Sequence, residues 1–426
     1  MRQFAQEVNR IGTERGTPLK YQQPSVHQWL NGHLPRETVR PLILEALARR
    51  LLRPITHAEA GFPAPPEESH GHPAAVDGLV DLGRQDLDPS RRSVLSAGLF
   101  SVALTVPGWP DVVGRMEAVQ SGKTLRIGMA DVNMVIAMTE RVSDLDDEFG
   151  GRHARPMAAA FLVNTVAPYL RADATEEVRK AMMSAASDLC YLTGYMAVDE
   201  GVHGLAQQYY LKALELAGAS EDHLTYCTTL RGMSVQAVDL RHGKTAMRLA
   251  DAAASASPQA GPRMRAFLAG QQAHASAQLG ERTKALMYLR EAEVAMGKAE
   301  SQTKTFGSYN PSSLTYHAGQ VRYELGDIRG SVKDLAESDR LRHGSFKRNR
   351  IRYLSMLAER QLEIGHLESA CATWGKVVEI YPDVQSGQCD KAMSTMQARL
   401  RPYLKNQTAR SLYERARLVT PPSVAV

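Results

Sequence analysis

Residues 351–382 read IRYLSMLAERQLEIGHLESACATWGKVVEIYP. Apolar and small side chains recur at helical spacing on both sides of Gly365, which predicts two helices joined by a tight turn at that glycine. Counted from Ile351, small residues stand at positions eight (Ala358) and twenty (Ala370), a large one at twenty-four (Trp374), then Val377 and Pro382. The skeleton returns upstream. Gly201, Gly243, Gly280, Gly326 and Gly365 each follow one amphipathic helix and precede another, at intervals of 42, 37, 46 and 39 residues. The first unit has Gly194, Ala206, Tyr210 and Ala213; the third has Ala273, Ala285, Leu289 and Ala292; the fourth has Gly319, Ser331, Leu335 and Ser338. The second, RGMSVQAVDLRHGKTAMRLADAAA, fits the pattern if its turn is about two residues shorter. Small side chains at eight and twenty let the two helices of a unit approach closely, and the larger one at twenty-four fills the gap to the next unit. The fold class expected is all-α.

On these residues, 187–384 resemble tetratricopeptide repeats. The resemblance implies a right-handed helical-repeat solenoid whose concave surface takes a peptide, a small molecule or a protein partner. A mean interval near forty exceeds the roughly 34 residues of the standard repeat, so lengthened helices or loops are expected, as in peptide-sensing regulators with degenerate repeats. The groove would be lined by positions five and nine of each first helix. These are Tyr191 and Tyr195, Arg231 and Val235, Gly270 and His274, Tyr316 and Gln320, and Ser355 and Glu359. Of them, Tyr191, Tyr195, Arg231, His274, Tyr316, Gln320 and Glu359 are the candidate ligand contacts; the alternative is a set of solvated helix faces. Lys347, Arg348, Arg350 and Arg352 read as a solvated basic helix start.

The second informative stretch is QPSVHQWLNGHLP, residues 23–35. Val26, Trp29 and Leu30 share one helical face, while Gln23, Ser25, His27, Gln28 and Asn31 present polar groups suited to base edges and phosphate oxygens. Gly32 suits a left-handed helix stop and Pro35 prevents continuation. Leu42, Ile43, Ala46 and Leu47 offer a stripe for Trp29. The order SVHQWLNGHLPRETVRPLILEALARRLLRPITHAEAGF resembles the lambda-repressor/Cro-type helix-turn-helix domain of large actinobacterial regulators. The middle of the chain, from IGMADVNMVIAM onward, is similar to the sensor region of the same proteins, which precedes tetratricopeptide-like repeats there. Carried over by position, Gln23, Ser25, His27, Gln28 and Asn31 meet bases, and Lys20 and Arg36 meet the phosphate backbone of double-stranded DNA. In that family a helix precedes the FAQEVNRIG segment, on which this chain begins; either the true start lies upstream or the domain lacks its first helix. The resemblance implies a cytoplasmic homodimeric transcription regulator of development or secondary metabolism. The competing reading is a protein-interaction adaptor without DNA binding.

Composition agrees with this division. Of the formal charge of +5 over 426 residues, an excess of four lies in residues 1–63 (nine Lys/Arg against five Glu). The expected domains are 1–62, helix-turn-helix; 63–125, a linker with one apolar helix at Val94–Val106; 126–186, the helical start of the sensor; and 187–416, the repeats. Cys190, Cys227, Cys371 and Cys389 lie far apart and read as buried free thiols. No apolar run is long enough to span a membrane. Arg91-Arg92 before SAGLFSVALTVPGW mimics a twin-arginine export signal but lies too deep in the chain. Gly122-Lys123-Thr124 and Gly243-Lys244-Thr245 lack the upstream glycine of a phosphate loop, having Glu117 and Val238 there. Asp144–Glu148 opens like a calcium loop but continues with Phe149 and Arg155 where Gly and Glu are needed, so it reads as a solvated helix end. His70-Gly71-His72 has no paired ligand nearby and reads as loop. No catalytic residue, metal site or cofactor is expected.

Overall fold

The computed structural model describes residues 1–14, 19–51, 60–62, 72–87, 126–256, 260–299, 309–342 and 347–421. These are all-α; the sole β-pairing among them is an isolated bridge between Arg126 and Asp173. The apolar helix expected at 94–106, the twin-arginine stretch, Gly122-Lys123-Thr124 and His70 lie outside the described residues. The chain divides into two compact units, Met1–Ala74 and Ala75–Val426.

In the first unit, α1 (Arg2–Glu14), α2 (Gln23–Leu30) and α3 (Arg40–Leu51) surround a small core of Val8, Val39, Leu42, Ile43 and Ala46. Trp29, Leu47 and Phe62 pack on it, so the stripe read on α3 is the one that receives Trp29.

The second unit begins on α4 (His72–Leu87), a helix where the sequence reads as linker. Val76, Leu79, Val80 and Leu82 are buried, and Asp86 takes an ion pair from the buried Arg155 and a hydrogen bond from Tyr209. The stripe at 76, 79 and 80 is short, and the glycines and acidic residues around it hide its period. Next come α5 (Met129–Phe149) and α6 (Gly151–Phe161), which runs through a π-helical turn, Leu162–Val166, into the short α7 (Ala167–Leu170). Thr175 then caps α8 (Glu176–Asp199), its hydroxyl accepting from the Val178 amide at 3.4 Å.

From α8 onward helices pack in consecutive pairs. The partner of α8 is α9 (His203–Ser220), and α10 (His223–Asp239) pairs with α11 (Gly243–Ser255). Then follow α12 (Pro262–Gln278) with α13 (Arg282–Gly297), α14 (Pro311–Glu324) with α15 (Ile328–Arg340), and α16 (Lys347–Glu363) with α17 (Leu367–Ile380). The last helices are α18 (Gly387–Leu400) and α19 (Gln407–Val419). None of the described helices is long and apolar enough to cross a membrane. All four cysteines are free and buried.

The repeat rules read from sequence are the packing rules of the pairs. Ala206, Ala285, Ser331 and Ala370, all at position twenty, are fully buried. A Cβ at Gly194 would come within 2.8 Å of the Tyr210 ring, so position eight is small because position twenty-four of the same unit lies against it. Each turn closes with two backbone bonds, as at Gly365, whose amide donates to Leu362 while that of His366 donates to Gln361. The turn residue has positive φ at Gly201, Gly280, Gly326 and Gly365. The second unit obeys the same count, contrary to the shortened turn expected. Its turn residue is Arg241, at φ 61°, and Gly243 is merely the first residue of α11. Ser234 and Ala246 then take positions eight and twenty, and the Ser234 hydroxyl donates to the Ala246 carbonyl at 2.7 Å.

The start and end of this array meet. The Gln385 amide donates to the Phe149 carbonyl at 2.7 Å. Arg152 bridges Glu200 at 2.9 Å and Asp390 at 2.8 Å, and the Gly387 amide donates to Glu200 at 2.9 Å.

Candidate functional site

Among the described residues, the polar helix of the first unit and a cavity within the second are the candidate sites. On α2, Val26 is buried and Trp29 packs edge-on to Tyr21, with ring centroids 5.0 Å apart. Lys20, Gln23, His27, Gln28, Asn31 and Arg36 are exposed, and Ser25 is half-buried. The loop before the helix is clamped. Asn9 donates to the Tyr21 carbonyl and accepts from the Tyr21 amide, both at 2.8 Å. The end is fixed as expected by Gly32 at φ 90°, with the His33 amide donating to Gln28 at 3.0 Å. One expectation fails: Leu30 is 68% exposed and takes no part in the core. It is the last residue of an eight-residue helix, one position past Trp29, which packs on Tyr21.

The cavity of the second unit measures about 400 Å³. Tyr191, Tyr195, Arg231, His274 and Tyr316, given by the repeat count, all line it, as does Val235. Gln320 and Glu359 do not line it; Gln320 accepts a hydrogen bond from Arg360 instead. In the fifth unit the first turns of α16 form the wall, and Arg348, Asn349, Arg352 and Tyr353 stand there in place of Ser355 and Glu359. Arg352 and Glu359 are seven residues apart on one helical stripe, so the repeat count finds the right face but lands one or two turns too late. Tyr309, from the irregular segment before α14, also enters.

Aromatic rings form much of the wall. Tyr316 stacks on Tyr353 at 4.0 Å and Tyr191 on Tyr210 at 5.9 Å. Arg231 places its guanidinium carbon 4.1 Å over the Phe267 ring and an Nη 3.4 Å from His317 Nε2. The Tyr309 hydroxyl lies 2.8 Å from His317 Nδ1. An Arg231 donor on Nε2 then leaves Nδ1 to carry the proton toward the tyrosine oxygen. Gly270 is where these groups pass α12: a Cβ there would stand 2.5 Å from the Tyr309 hydroxyl and 2.6 Å from His317 Nδ1. Burial first, then Arg360 and Arg231, pushes the His274 imidazole down to about 3. Burial and Arg231 likewise hold His317 well below its ordinary value. Both are neutral at physiological pH.

The acidic run and the basic helix start, read as solvated ends, keep Asp144 and Glu148 exposed, but Asp146, Asp147 and Arg348 meet in a cluster with Asp199. Arg348 stands 2.8 Å from Asp146, 3.4 Å from Asp147 and 3.3 Å from Asp199. Three carboxylates face one guanidinium, and burial pushes the carboxyls of Asp146 and Asp147 up against the pull of Arg348. No local signal in either segment points to the other.

Residues 1–63 match the family model of the SP15 N-terminal domain. The match covers the unit that presents α2 and leaves the repeats outside it. No curated protein matches the chain.

Proposed function

We propose that this chain is a sequence-specific DNA-binding transcription regulator, acting in the cytoplasm as a homodimer, with its helical repeats as the sensor. The observation that carries the reading is α2, whose amide and imidazole side chains at Gln23, His27, Gln28 and Asn31 are exposed while Val26 and Trp29 anchor it from behind. Amides and imidazoles pair with purine edges in a major groove, and Lys20 and Arg36 flank them for phosphates. The Asn9 clamp and the Gly32 stop hold the helix rigid, which lowers the ordering cost of binding. The basic excess of residues 1–63 adds a sequence-independent attraction.

The cavity supports the sensor half. A ligand held by α8, α10, α12, α14 and α16 together would favour one curvature of the repeats, and so one spacing of two recognition helices across an operator. Following the resemblance, the controlled genes belong to development or secondary metabolism.

The test is selection of fragmented genomic DNA from the organism of origin by the full chain at two salt concentrations. Recovery of a few palindromic sites that persist at the higher salt is the expected result. Retention that is blind to sequence, or none, transfers the reading to a protein-interaction adaptor.

A further inference from the structure

The sensor reading leaves the ligand open, and the chemistry of the cavity narrows it. Resting on that reading, we propose that the cavity binds a small aromatic oxyanion, a planar ring bearing a carboxylate or phosphate, with Arg231 and Arg352 holding the anion. About 400 Å³ lies within the range of small-molecule sites, roughly 300–1,000 Å³, and is far too little for a folded partner.

Among the described residues, no carboxylate comes within 4.0 Å of Arg231 or Arg352, whereas Arg348 in the same wall faces three. Asp147 and Asp199 are therefore committed to Arg348, along with Asp146. The remaining acid of the wall, Asp239, is exposed; of the charged side chains it acts most on Arg352, but from beyond ion-pair distance. Arg231 Nε is buried with no hydrogen-bond partner. A buried donor without an acceptor costs free energy, and a ligand oxygen is one group that can accept from it. The imidazoles beside it are neutral and so add no positive charge of their own to the anion site.

The rest of the wall suits a ring. In the stacked Tyr316–Tyr353 pair, with Arg342 4.4 Å over the Tyr353 ring, it is Tyr316 that offers an aromatic face. Tyr210 and Gln271, 0% and 1% exposed, line the cavity with the Tyr210 hydroxyl and Gln271 Oε1 unpartnered. A ring carrying a hydroxyl or amine as well as the oxyanion would satisfy the Gln271 acceptor.

Calorimetric titration of the full chain with benzoate, indole-3-acetate, phenyl phosphate and the neutral benzamide tests the assignment. At least one of the three anions binds, and benzamide binds at least tenfold more weakly. The carboxylate and phosphate arms decide which oxyanion the site takes. Arg231→Gln and Arg352→Gln each weaken the anion at least tenfold, and should Arg231→Gln fail to fold, Arg352→Gln alone carries the comparison. Benzamide binding as tightly as benzoate, or anion binding that survives Arg352→Gln, overturns the anionic assignment and leaves the sensor reading standing. Silence from all four probes overturns both, while DNA selection by α2 is judged by its own assay.

Discussion

Arg348 on α16 and Asp146 on α5 form an ion pair at 2.8 Å, with each side chain only 2% exposed. Asp199 joins them at 3.3 Å, also out of water. With Arg152 bonded to both Glu200 and Asp390, this cluster joins the last repeat to the helices that precede the first. Coupling within the array therefore runs both along the repeats and directly across the junction.

Arg348→Ala leaves two carboxylates buried without their counter-charge. Stability should fall by about 3–5 kcal/mol, the usual cost of breaking one side of a buried pair. Asp146→Asn, which leaves Arg348 with two acids, should cost much less. Urea unfolding of the three proteins checks both, and equal losses would place the stabilisation elsewhere.

The turn residues give a second expectation. Gly365 sits at φ 85°, and Gly365→Ala should cost about 1–2 kcal/mol, the penalty of a Cβ in left-handed backbone. Arg241 already bears that strain at φ 61°, offset by its exposed pair with Glu324 at 2.7 Å. Arg241→Gly should accordingly be near neutral in thermal denaturation, within about 1 kcal/mol.

Acidity should act on the repeats with two opposite signs. Burial pushes the Asp188 carboxyl up to about 7, with the Thr225 hydroxyl bond pulling it down and Asp222 adding to the rise. A carboxyl raised on folding contributes stability that is full below its unfolded value near 4 and is lost as pH rises through about 7. His274, lowered to about 3, contributes above about 6.5 and loses its contribution as pH falls below that. Asp188→Asn should therefore remove a loss on the order of 2 kcal/mol on the alkaline side. His274→Gln should flatten the acid side. Melting temperatures across the range read both slopes.

How much of this was legible depends on whether the cause was local. Positions eight, twenty and twenty-four were readable because close helix packing limits side-chain size there, whatever surrounds the pair. Arg241 was not, since an arginine in left-handed backbone carries no local mark. Helix α4 was obscured because Gly78, Gly83 and the acids among its apolar positions resemble a linker. Five of the seven predicted groove residues reached the cavity, four from α8, α10 and α12 and the fifth, Tyr316, from α14, because the inward face follows from each unit's own register. Gln320 and Glu359 failed because at α14 and α16 the wall is made by residues nearer each helix start, which no position within a single unit reveals. The Arg348 cluster was invisible because Arg348 lies 149 or more positions from each of its carboxylates.

In the first unit, Asn9 holds the loop that leads into α2 through its two bonds to the Tyr21 backbone. Asn9→Ala should lower affinity for a selected site about tenfold, as expected for about 1.4 kcal/mol of lost preorganisation. Its preference among sites should stay the same. A changed preference in a binding-site competition would mean that Asn9 acts on the bases.

The most direct measurement is fluorescence anisotropy of the full chain on its selected duplex and on a scrambled one. The proposed function predicts at least a roughly 10³-fold preference. It also predicts that His27→Ala/Gln28→Ala binds both duplexes alike while melting at the wild-type temperature. Equal affinity of the wild type for the two duplexes, or full specificity in the double variant, would contradict it.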